Sequence, residues 1–393
     1  MNKSLLLFFG LLFLFALEIL RVYFIMPFPG SQHSDTIGIA YFLDKQILWL
    51  RLIGLALTIP PLIYFLRRGS AWRKALLTLL VLFYGLVFYM FNFRLLADKM
   101  FYQPKEKLFA GGITDSTQKD RLVIGVALAG EAKAYPIGII GYHHQVRDTL
   151  GGQPIMVTYC TVCRTGRVYS PVINGTPASF RLVGMDHFNA MFEDAGTKSW
   201  WQQATGVAIT GPLKGTRLTE IPSAQMRLSD WLALHPNSLT LQPDPHFTAR
   251  YDSLKGYDEG TIDGSLERRD SGSWKFKSWV VGVSLDGKSK AFDWNRLVRE
   301  RLIRDSIGQT QLLLTIQPNN KTFYAWAVAD SLRFRYDTVT HLLKDDNTSS
   351  TWQPDGVCTD GPLRGTQLHP VQAYQEFWHS WRTFHPGTLG EGL

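Results

Sequence analysis

The sequence predicts a mainly β (α+β) extracytoplasmic region built from two related β-rich lobes and preceded by three transmembrane α-helices. Two observations carry this prediction. Almost all long apolar runs lie before residue 100, and two stretches of the remaining chain resemble one another. The chain has 393 residues, of which 45% are hydrophobic and 19% charged. This composition excludes a disordered chain, and three cysteines are too few for a disulfide-stapled miniprotein.

Residues 1–98 are predicted to form a membrane anchor. Apolar stretches at about 4–20, 47–66 and 75–93 each approach the ~20 residues that a bilayer-spanning helix needs. The first stretch could instead be a secretory signal, but no small-residue cleavage site follows it and two more apolar stretches do. We therefore expect a multi-pass inner-membrane protein in contact with the lipid bilayer.

The distribution of basic residues predicts the orientation of the anchor. Four basic residues separate the second and third apolar stretches, whereas the loop 29–46 carries only Lys45. Because basic loops remain in the cytoplasm, the N-terminus is predicted to be cytoplasmic and residues after about 98 periplasmic. The four basic residues that are predicted to be cytoplasmic are Arg67, Arg68, Arg73 and Lys74. Other membrane proteins are candidate partners.

The net charge of +8 does not indicate a nucleic-acid partner. The first 98 residues hold 9 basic and 4 acidic groups, so most of the excess belongs to the anchor. The remaining region offers no basic surface that the sequence can identify. We expect no nucleic acid among the partners.

The region after the anchor contains an internal repeat. Val123–Gly130 recurs as Val280–Gly287 at an offset of 157 residues, and Gly211–Leu218 recurs as Gly361–Leu368 at an offset of 150. Such self-similarity is typical of a duplicated structural unit. The sequence therefore predicts two copies of one fold.

Each copy is predicted to be mostly strand. Apolar runs such as Leu122–Leu128 and Pro154–Tyr159 are short, rich in Val, Ile and Tyr, and bounded by Gly, Pro and Asn. One short helix is expected to close each copy, before Pro236 and before Pro386. The predicted parts are a first β-rich lobe at 108–241, a connecting segment at 242–273, and a second, degenerate lobe at 274–393.

The duplication separates framework residues from candidates for chemistry. Residues kept in both copies are best explained by turns and packing, whereas residues present in one copy are where a site could lie. The first copy alone carries sulfur and adjacent imidazoles, so a single site is predicted there. Cys160, Cys163, His143 and His144 of the first copy correspond to Gln317, Asn320, Glu300 and Arg301 of the second.

The motif Cys160-Thr-Val-Cys163 is the centre of the predicted site. This spacing lets both sulfurs point to one side of a turn, where they can bind one soft metal ion or close a small disulfide ring. Arg164 and Arg167 would favour the thiolate, the form that binds metals and attacks disulfides. The favoured ligand is a zinc or copper ion.

Several further side chains are candidate supports of this site. In a strand, His143 and His144 would point to opposite faces, so only one imidazole could complete a metal site. Asp186 or His187 could add a further ligand. Asp194, with Thr197 and Ser199, is interpreted as a turn former or a catalytic carboxylate.

Four motifs together resemble a known bacterial family. They are Lys133-Ala-Tyr-Pro136, Thr158-Tyr-Cys-x-x-Cys163, Asp194-x-x-Thr197-x-Ser199 and Gly206-x-x-x-x-Gly-Pro-Leu-x-Gly215. In combination they are similar to the family called domain of unknown function 3179, over most of 108–240. The resemblance implies an extracytoplasmic domain and no particular reaction. The chain departs from the family's pattern at His144 and Arg147 and at residues next to the cysteines.

Three classes of function remain open. The chain could be a metal-binding protein, a thiol-disulfide oxidoreductase using Cys160 and Cys163, or a non-catalytic interaction module with a structural cysteine pair. Whether it is an enzyme also stays open, since a cysteine hydrolase would need an oxyanion-hole signature that the sequence does not offer. The sequence has no phosphate-binding loop, Rossmann fingerprint or nucleophile elbow, so no nucleotide cofactor is expected.

Overall fold

A computed structural model describes residues 2–390 of the chain, and residues 391–393 of the predicted second lobe lie outside this range. Three N-terminal apolar helices followed by a β-rich region of several sheets confirm the predicted fold class. The α-helices are α1 (Lys3–Tyr23), α2 (Ile37–Arg68), α3 (Ala71–Tyr89), α4 (Ala97–Met100), α5 (Ile137–His143), α6 (Leu228–Leu234), α7 (Thr248–Asp252), α8 (Trp294–Glu300) and α9 (Trp378–Phe384).

The strands are mostly short and follow one another along the chain after residue 108. In order they are β1 (Phe109–Ala110), β2 (Leu122–Leu128), β3 (Glu131–Pro136), β4 (Gln145–Leu150), β5 (Gln153–Cys160), β6 (Thr165–Tyr169), β7 (Val172–Ile173), β8 (Thr176–Pro177), β9 (Phe180–Asp186), β10 (Asn189–Asp194), β11 (Trp200–Gln202), β12 (Ala208–Thr210), β13 (Ala224–Arg227), β14 (Leu239–Leu241), β15 (Trp279–Leu285), β16 (Lys288–Asp293), β17 (Leu302–Ile307), β18 (Thr310–Ile316), β19 (Phe323–Val328), β20 (Phe334–Tyr336), β21 (Leu343–Asp345), β22 (Thr351–Trp352), β23 (Cys358–Asp360), β24 (His369–Pro370), β25 (Ala373–Phe377) and β26 (Leu389–Gly390).

The chain forms two compact units. The first, here called the anchor unit, contains the N-terminal helices together with the strands β9 to β12. The second, here called the β unit, contains the remaining strands and α5 to α9. The anchor unit consists of Met1–Tyr102, Ala178–Gln202 and Val207–Arg217, and the β unit of Gln103–Pro177, Gln203–Gly206 and Leu218–Leu393.

Three helices of the anchor unit are long and apolar enough to cross a membrane, as the sequence predicts. They span Lys3–Tyr23, Ile37–Arg68 and Ala71–Arg94, the last including a π-helical turn that continues α3. The 32 residues of α2 extend about 48 Å, which exceeds the roughly 30 Å of a bilayer core. The second helix begins ten residues before its predicted start and is longer than a bilayer core requires.

A buried polar network joins the anchor helices. The Glu18 carboxylate is fully buried and accepts hydrogen bonds from Arg51 Nε and Nη2, each at 2.7 Å. Asn92 Nδ2 donates to the same carboxylate at 2.9 Å, and Arg21 Nη2 donates to Asn92 Oδ1 at 2.6 Å. Buried ionic groups are tolerated in apolar surroundings only when they are paired in this way.

The β unit contains two similar sheets. In the first, the hairpin β2–β3 is flanked by β13 and β14 in the order β14-β3-β2-β13, and in the second β15–β16 is flanked by β26 and β25 in the order β25-β15-β16-β26. β14 pairs parallel to β3, and β26 pairs parallel to β16. In each sheet, a tryptophan ring packs directly against a glycine of the central strand, where a Cβ atom would clash. The pairs are Trp231 with Gly125 and Trp381 with Gly282.

Each copy also contains a helix that sequence reasoning did not predict. α5 and α8 follow the first hairpin of their copies, and the Asp293 side chain caps α8 by accepting from the amides of Asn295 and Arg296. The helices end at His144 and Arg301, whose φ angles of 60° and 66° are left-handed. The expectation that His143 and His144 lie in a strand is therefore wrong, because the apolar run before them closes a helical turn instead.

Residues 242–273, predicted as a connecting segment, pack onto the first copy of the β unit. The segment forms α7 and buries Tyr257 and Ile262 in the same apolar core as Leu122 and Ile124. The Tyr257 side chain is 1% exposed. This segment is consequently part of the surroundings of the candidate site.

Candidate functional site

The cysteine pair occupies the tight turn of one β-hairpin. Cys160 is the last residue of β5 and pairs with Thr165, the first residue of β6. Arg164 adopts a left-handed φ of 56°, which closes the turn between the two strands. Both cysteines are free thiols and fully buried. The predicted turn at Cys160-x-x-Cys163 is thus present.

The two thiols lie three residues apart in this turn, and a basic side chain of the second copy affects the ionisation of one of them. Burial, together with the Cys160 thiol, raises the pKa of Cys163 well above its usual value, although the Lys277 charge opposes this effect. Burial also lowers the pKa of Lys277. The thiol form of Cys163 is therefore favoured over the thiolate.

The second copy also holds the backbone of the turn. Lys277 Nζ donates to the Val162 carbonyl at 2.5 Å, and His379 Nε2 lies 3.2 Å from the same oxygen. The Phe377 amide donates to the Cys163 carbonyl at 3.0 Å. Burial lowers the pKa of His379 to about 3, so that its imidazole is neutral at pH 7. The dithiol therefore lies where the hairpin turn of the first copy contacts Lys277, Phe377 and His379 of the second. This contact is here called the joint.

The two arginines next to the cysteines have other partners than the sulfurs. Arg164 Nε donates to Gln375 Oε1 at 2.9 Å, and its guanidinium lies 4.0 Å from the ring centroid of Trp279. Arg167 Nη2 pairs with the buried carboxylate of Glu376. Both arginines are therefore bonded to groups other than the sulfurs, and Lys277 is the positive charge that lowers the pKa of Cys163.

The two predicted imidazole ligands have their own contacts. His143 Nε2 lies 2.7 Å from Tyr251 Oη, and its ring packs edge-on against Phe247. His144 Nδ1 lies 3.2 Å from the Tyr142 carbonyl, and burial lowers the pKa of His144 to about 4. Within residues 2–390, no group of three or more His, Cys, Asp and Glu side chains is placed to hold a metal ion. The structure brings the two sulfurs together without gathering the four predicted ligands into a metal centre.

Asp186 and His187 belong to the anchor unit, whereas the cysteines belong to the β unit. The His187 Nδ1 atom lies 2.7 Å from Asp186 Oδ1, and Gln202 Nε2 donates to the other carboxylate oxygen at 2.6 Å. The Asp186 side chain raises the pKa of His187 through this hydrogen bond. Their contacts hold two strands of one sheet together.

Asp194 organises a turn that the chain uses twice. Its carboxylate accepts from Thr197 Oγ1 at 2.6 Å and from Trp201 Nε1 at 2.9 Å. Asp345, 151 residues later, accepts from the amide and hydroxyl of Thr348 in the same way. A carboxylate that recurs in both copies with the same bonds to a threonine has a framework role, which favours the turn interpretation over the catalytic one.

Three residues of the site lie in the second copy, where sequence reasoning did not search. Lys277, His379 and Ser380 correspond to Asp120, Ser229 and Asp230 of the first copy. Like the cysteines, these three residues are present in one copy and replaced in the other. Comparing the copies in both directions would have identified them.

The β unit contains a second joint that is equivalent to the one around the dithiol. Asn319 Nδ2, in the turn equivalent to the cysteine turn, donates to Asp230 Oδ2 of α6 at 2.8 Å. Lys321 Nζ donates to the Asp120 carbonyl at 3.2 Å. In each copy, the hairpin turn thus contacts the last helix of the other copy. Only one of these two joints contains sulfur.

These features define a membrane-anchored protein with a β-rich region that carries a buried dithiol. The chain belongs to the family described as Protein of unknown function (DUF3179), whose model matches residues 109–388. The matched range includes both copies, whereas the motifs recognised in the sequence are confined to 108–240. Comparison with curated proteins and with solved structures gave no match.

Proposed function

We propose that this chain is a membrane-anchored thiol-disulfide redox protein in which Cys160 and Cys163 alternate between dithiol and disulfide. The observation that carries the proposal is the position of two buried free thiols, three residues apart in one hairpin turn to which the Lys277 amine is bonded. Two thiols at this spacing in a turn can close a small disulfide ring. A metal centre would need a third and fourth ligand, which the described residues do not place there.

The side chains around the pair have assignable roles in this chemistry. When the cover opens, Cys163 gives up its proton to water, the Lys277 ammonium stabilises the resulting thiolate, and this thiolate attacks one sulfur of a partner disulfide, RSSR. The first RS⁻ leaves and takes up a proton from water. The Cys160 sulfur then displaces the second RS⁻, which takes the Cys160 proton. The products are a Cys160–Cys163 disulfide and two RSH, so that two electrons pass to the partner disulfide.

Burial of the pair determines its reactivity. Both sulfurs are covered by α9 and by the residues around Lys277. A partner disulfide reaches Cys163 only when this cover opens, and buried thiols react slowly otherwise. The expected protein is therefore a slow exchanger whose rate is set by opening of the joint.

A redox titration of the full chain in detergent tests the proposal. The protein is equilibrated with glutathione buffers between roughly −320 and −120 mV, and its free thiols are alkylated after denaturation and counted by mass spectrometry. We expect one two-electron transition that links Cys160 to Cys163, retained in Cys358→Ser and lost in Cys163→Ser. Cys358 is a matched control because it is also buried and free.

The same sample distinguishes the other classes of function. Absence of the disulfide over the whole range of potentials overturns the proposal. One zinc or copper ion per chain that is lost in Cys163→Ser also overturns it, in favour of the predicted soft-metal site. Neither disulfide nor metal leaves an interaction module with a structural cysteine pair.

We also propose that the N-terminus is cytoplasmic and that the region after about residue 98 is periplasmic. The proposal is supported by the basic residues at the end of α2 and the start of α3, which favour the cytoplasmic side. An oxidising periplasm is the compartment in which a dithiol would meet disulfides. Protease digestion of spheroplasts tests it: cleavage after residue 98 is expected from the outside, and protection of that region overturns the orientation.

A further inference from the structure

The end of the anchor unit that contains the N-terminus has a cavity of about 680 Å³. It is lined by the first turn of α1, through Lys3 and Leu6, and by the last turns of α2. The lining on α2 includes Pro60, Tyr64 and two consecutive arginines. This cavity is built entirely within one compact unit.

The charged residues that line the cavity are all basic. They are Lys3, Arg67 and Arg68, and no acidic side chain lines it. Lys3 Nζ lies 3.6 Å from the ring centroid of Tyr64, and the Arg68 guanidinium lies 5.5 Å from the same centroid. Stacking on one aromatic ring holds two cations at one place despite their repulsion. In residues 2–390, no carboxylate lies within salt-bridge distance of these three cations.

The rest of the lining is largely apolar. Leu6, Pro60 and Ile63 line the cavity and belong to helices that are long and apolar enough to cross a membrane. A ligand that matches both the basic and the apolar residues must carry a negative charge next to a hydrocarbon chain. Anionic phospholipids have this structure, and basic pockets between transmembrane helices bind their headgroups.

We propose that this cavity binds one anionic phospholipid of the cytoplasmic leaflet. The phosphodiester is held by Lys3, Arg67 and Arg68, and the upper part of one acyl chain lies against Pro60 and Leu6. The inference depends on the proposed orientation of the anchor and is independent of the dithiol chemistry.

The chain provides a matched control for the electrostatic part of this site. Arg73 and Lys74 lie in the first turn of α3, a few residues after Arg68, but do not line the cavity. The double variants Arg67→Gln/Arg68→Gln and Arg73→Gln/Lys74→Gln remove the same charge from one membrane surface. Only the first pair removes it from the cavity.

Native mass spectrometry of the full chain in detergent, with added phosphatidylglycerol or phosphatidylcholine of equal acyl length, provides the measurement. We expect one tightly retained phosphatidylglycerol per chain. Loss of two basic groups, each worth about 1 kcal/mol, should weaken retention about 30-fold in Arg67→Gln/Arg68→Gln. The other double variant should weaken it less than two-fold.

Three outcomes overturn the proposal. Equal losses in the two double variants indicate attraction to the whole surface instead of a site. Equal retention of both lipids by the wild-type chain shows that the negative charge is not recognised. Displacement of the lipid by inorganic phosphate at millimolar concentration shows a phosphate site without lipid specificity. An Arg67→Lys/Arg68→Lys variant that keeps binding excludes misfolding as the reason for the loss.

Discussion

His379 is buried between a like charge and an aromatic ring, and protonating it should destabilise the β unit. Its Nε2 atom lies 3.3 Å from Lys277 Nζ, and its ring stacks on Phe276 at 4.2 Å. Burial and the neighbouring Lys277 charge lower its pKa from 6.5 to about 3 in the folded protein. Between these two values the unfolded chain binds a proton that the folded chain does not. The free energy of unfolding therefore falls as the pH falls through this window.

The size of the effect follows from the two pKa values. At pH 5 the unfolded imidazole is almost fully protonated and the folded one is not. Since pH 5 lies about 1.5 units below the ordinary pKa of 6.5, and each unit corresponds to ~1.36 kcal/mol, the free energy of unfolding falls by about 2 kcal/mol. Wild-type stability should thus lose about 2 kcal/mol between pH 7 and pH 5 through His379 alone. His379→Gln removes the titrating group, and its unfolding free energy should depend less on pH by this amount.

Urea unfolding of the full chain in detergent, followed by tryptophan fluorescence at pH 7 and pH 5, measures the difference. Ser229→Gln is the matched control, because it places the same side chain at the equivalent position of α6 and removes no imidazole. Its pH dependence should follow that of the wild type. If His379→Gln also follows the wild type, the imidazole does not titrate with a lowered pKa and the reasoning fails.

Three further substitutions probe the framework. Gly282→Ala would place a methyl group 2.1 Å from the Trp381 ring and should destabilise the β unit by at least ~1–3 kcal/mol in urea unfolding. Glu18→Gln leaves Arg51 without its carboxylate in the membrane helices and should cost ~3 kcal/mol, seen as a lower melting temperature in detergent. Asp345→Asn removes charged hydrogen bonds in the repeated turn and should cost ~2 kcal/mol in urea unfolding, whatever activity the protein has.

Each of these has an outcome that contradicts it. Gly138→Ala is the control for the glycine, because nothing lies within 4 Å of the added methyl group; an equal loss there would show that steric contact is not the cause. An unchanged melting temperature in Glu18→Gln would show that the buried pair contributes no net stability. Full stability of Asp345→Asn would remove the argument that Asp194 is a framework residue.

The anchor and the hairpins could be predicted from the sequence because their signals are local. An apolar run of about twenty residues permits few structures other than a spanning helix. Alternating Val and Ile residues between Gly and Pro gave β2 and β5 almost to their ends. The apolar run at α5 was ambiguous, since a short helix and a short strand have the same composition there.

The site could be predicted only in part, because its members are distant in the chain. The contact of the two sulfurs follows from their spacing. The approach of Lys277 and His379 depends on how the two copies pack, and no local pattern reveals it. The imidazoles of His143 and His144 were assigned to the site because they are near the cysteines in sequence. They lie instead at the end of α5, where His143 contacts Tyr251.

The residues that cover the cysteine pair belong to the second copy, which is synthesised after the first. The pair is therefore exposed for a short time during biosynthesis. Val162 and His379 are 217 residues apart, so a ribosome adding about 5–20 residues per second needs roughly 10–45 s to supply the helix that closes the turn. If the region is periplasmic, as proposed above, both thiols meet an oxidising compartment before α9 covers them. The redox state reached in that interval is then retained until the cover opens again.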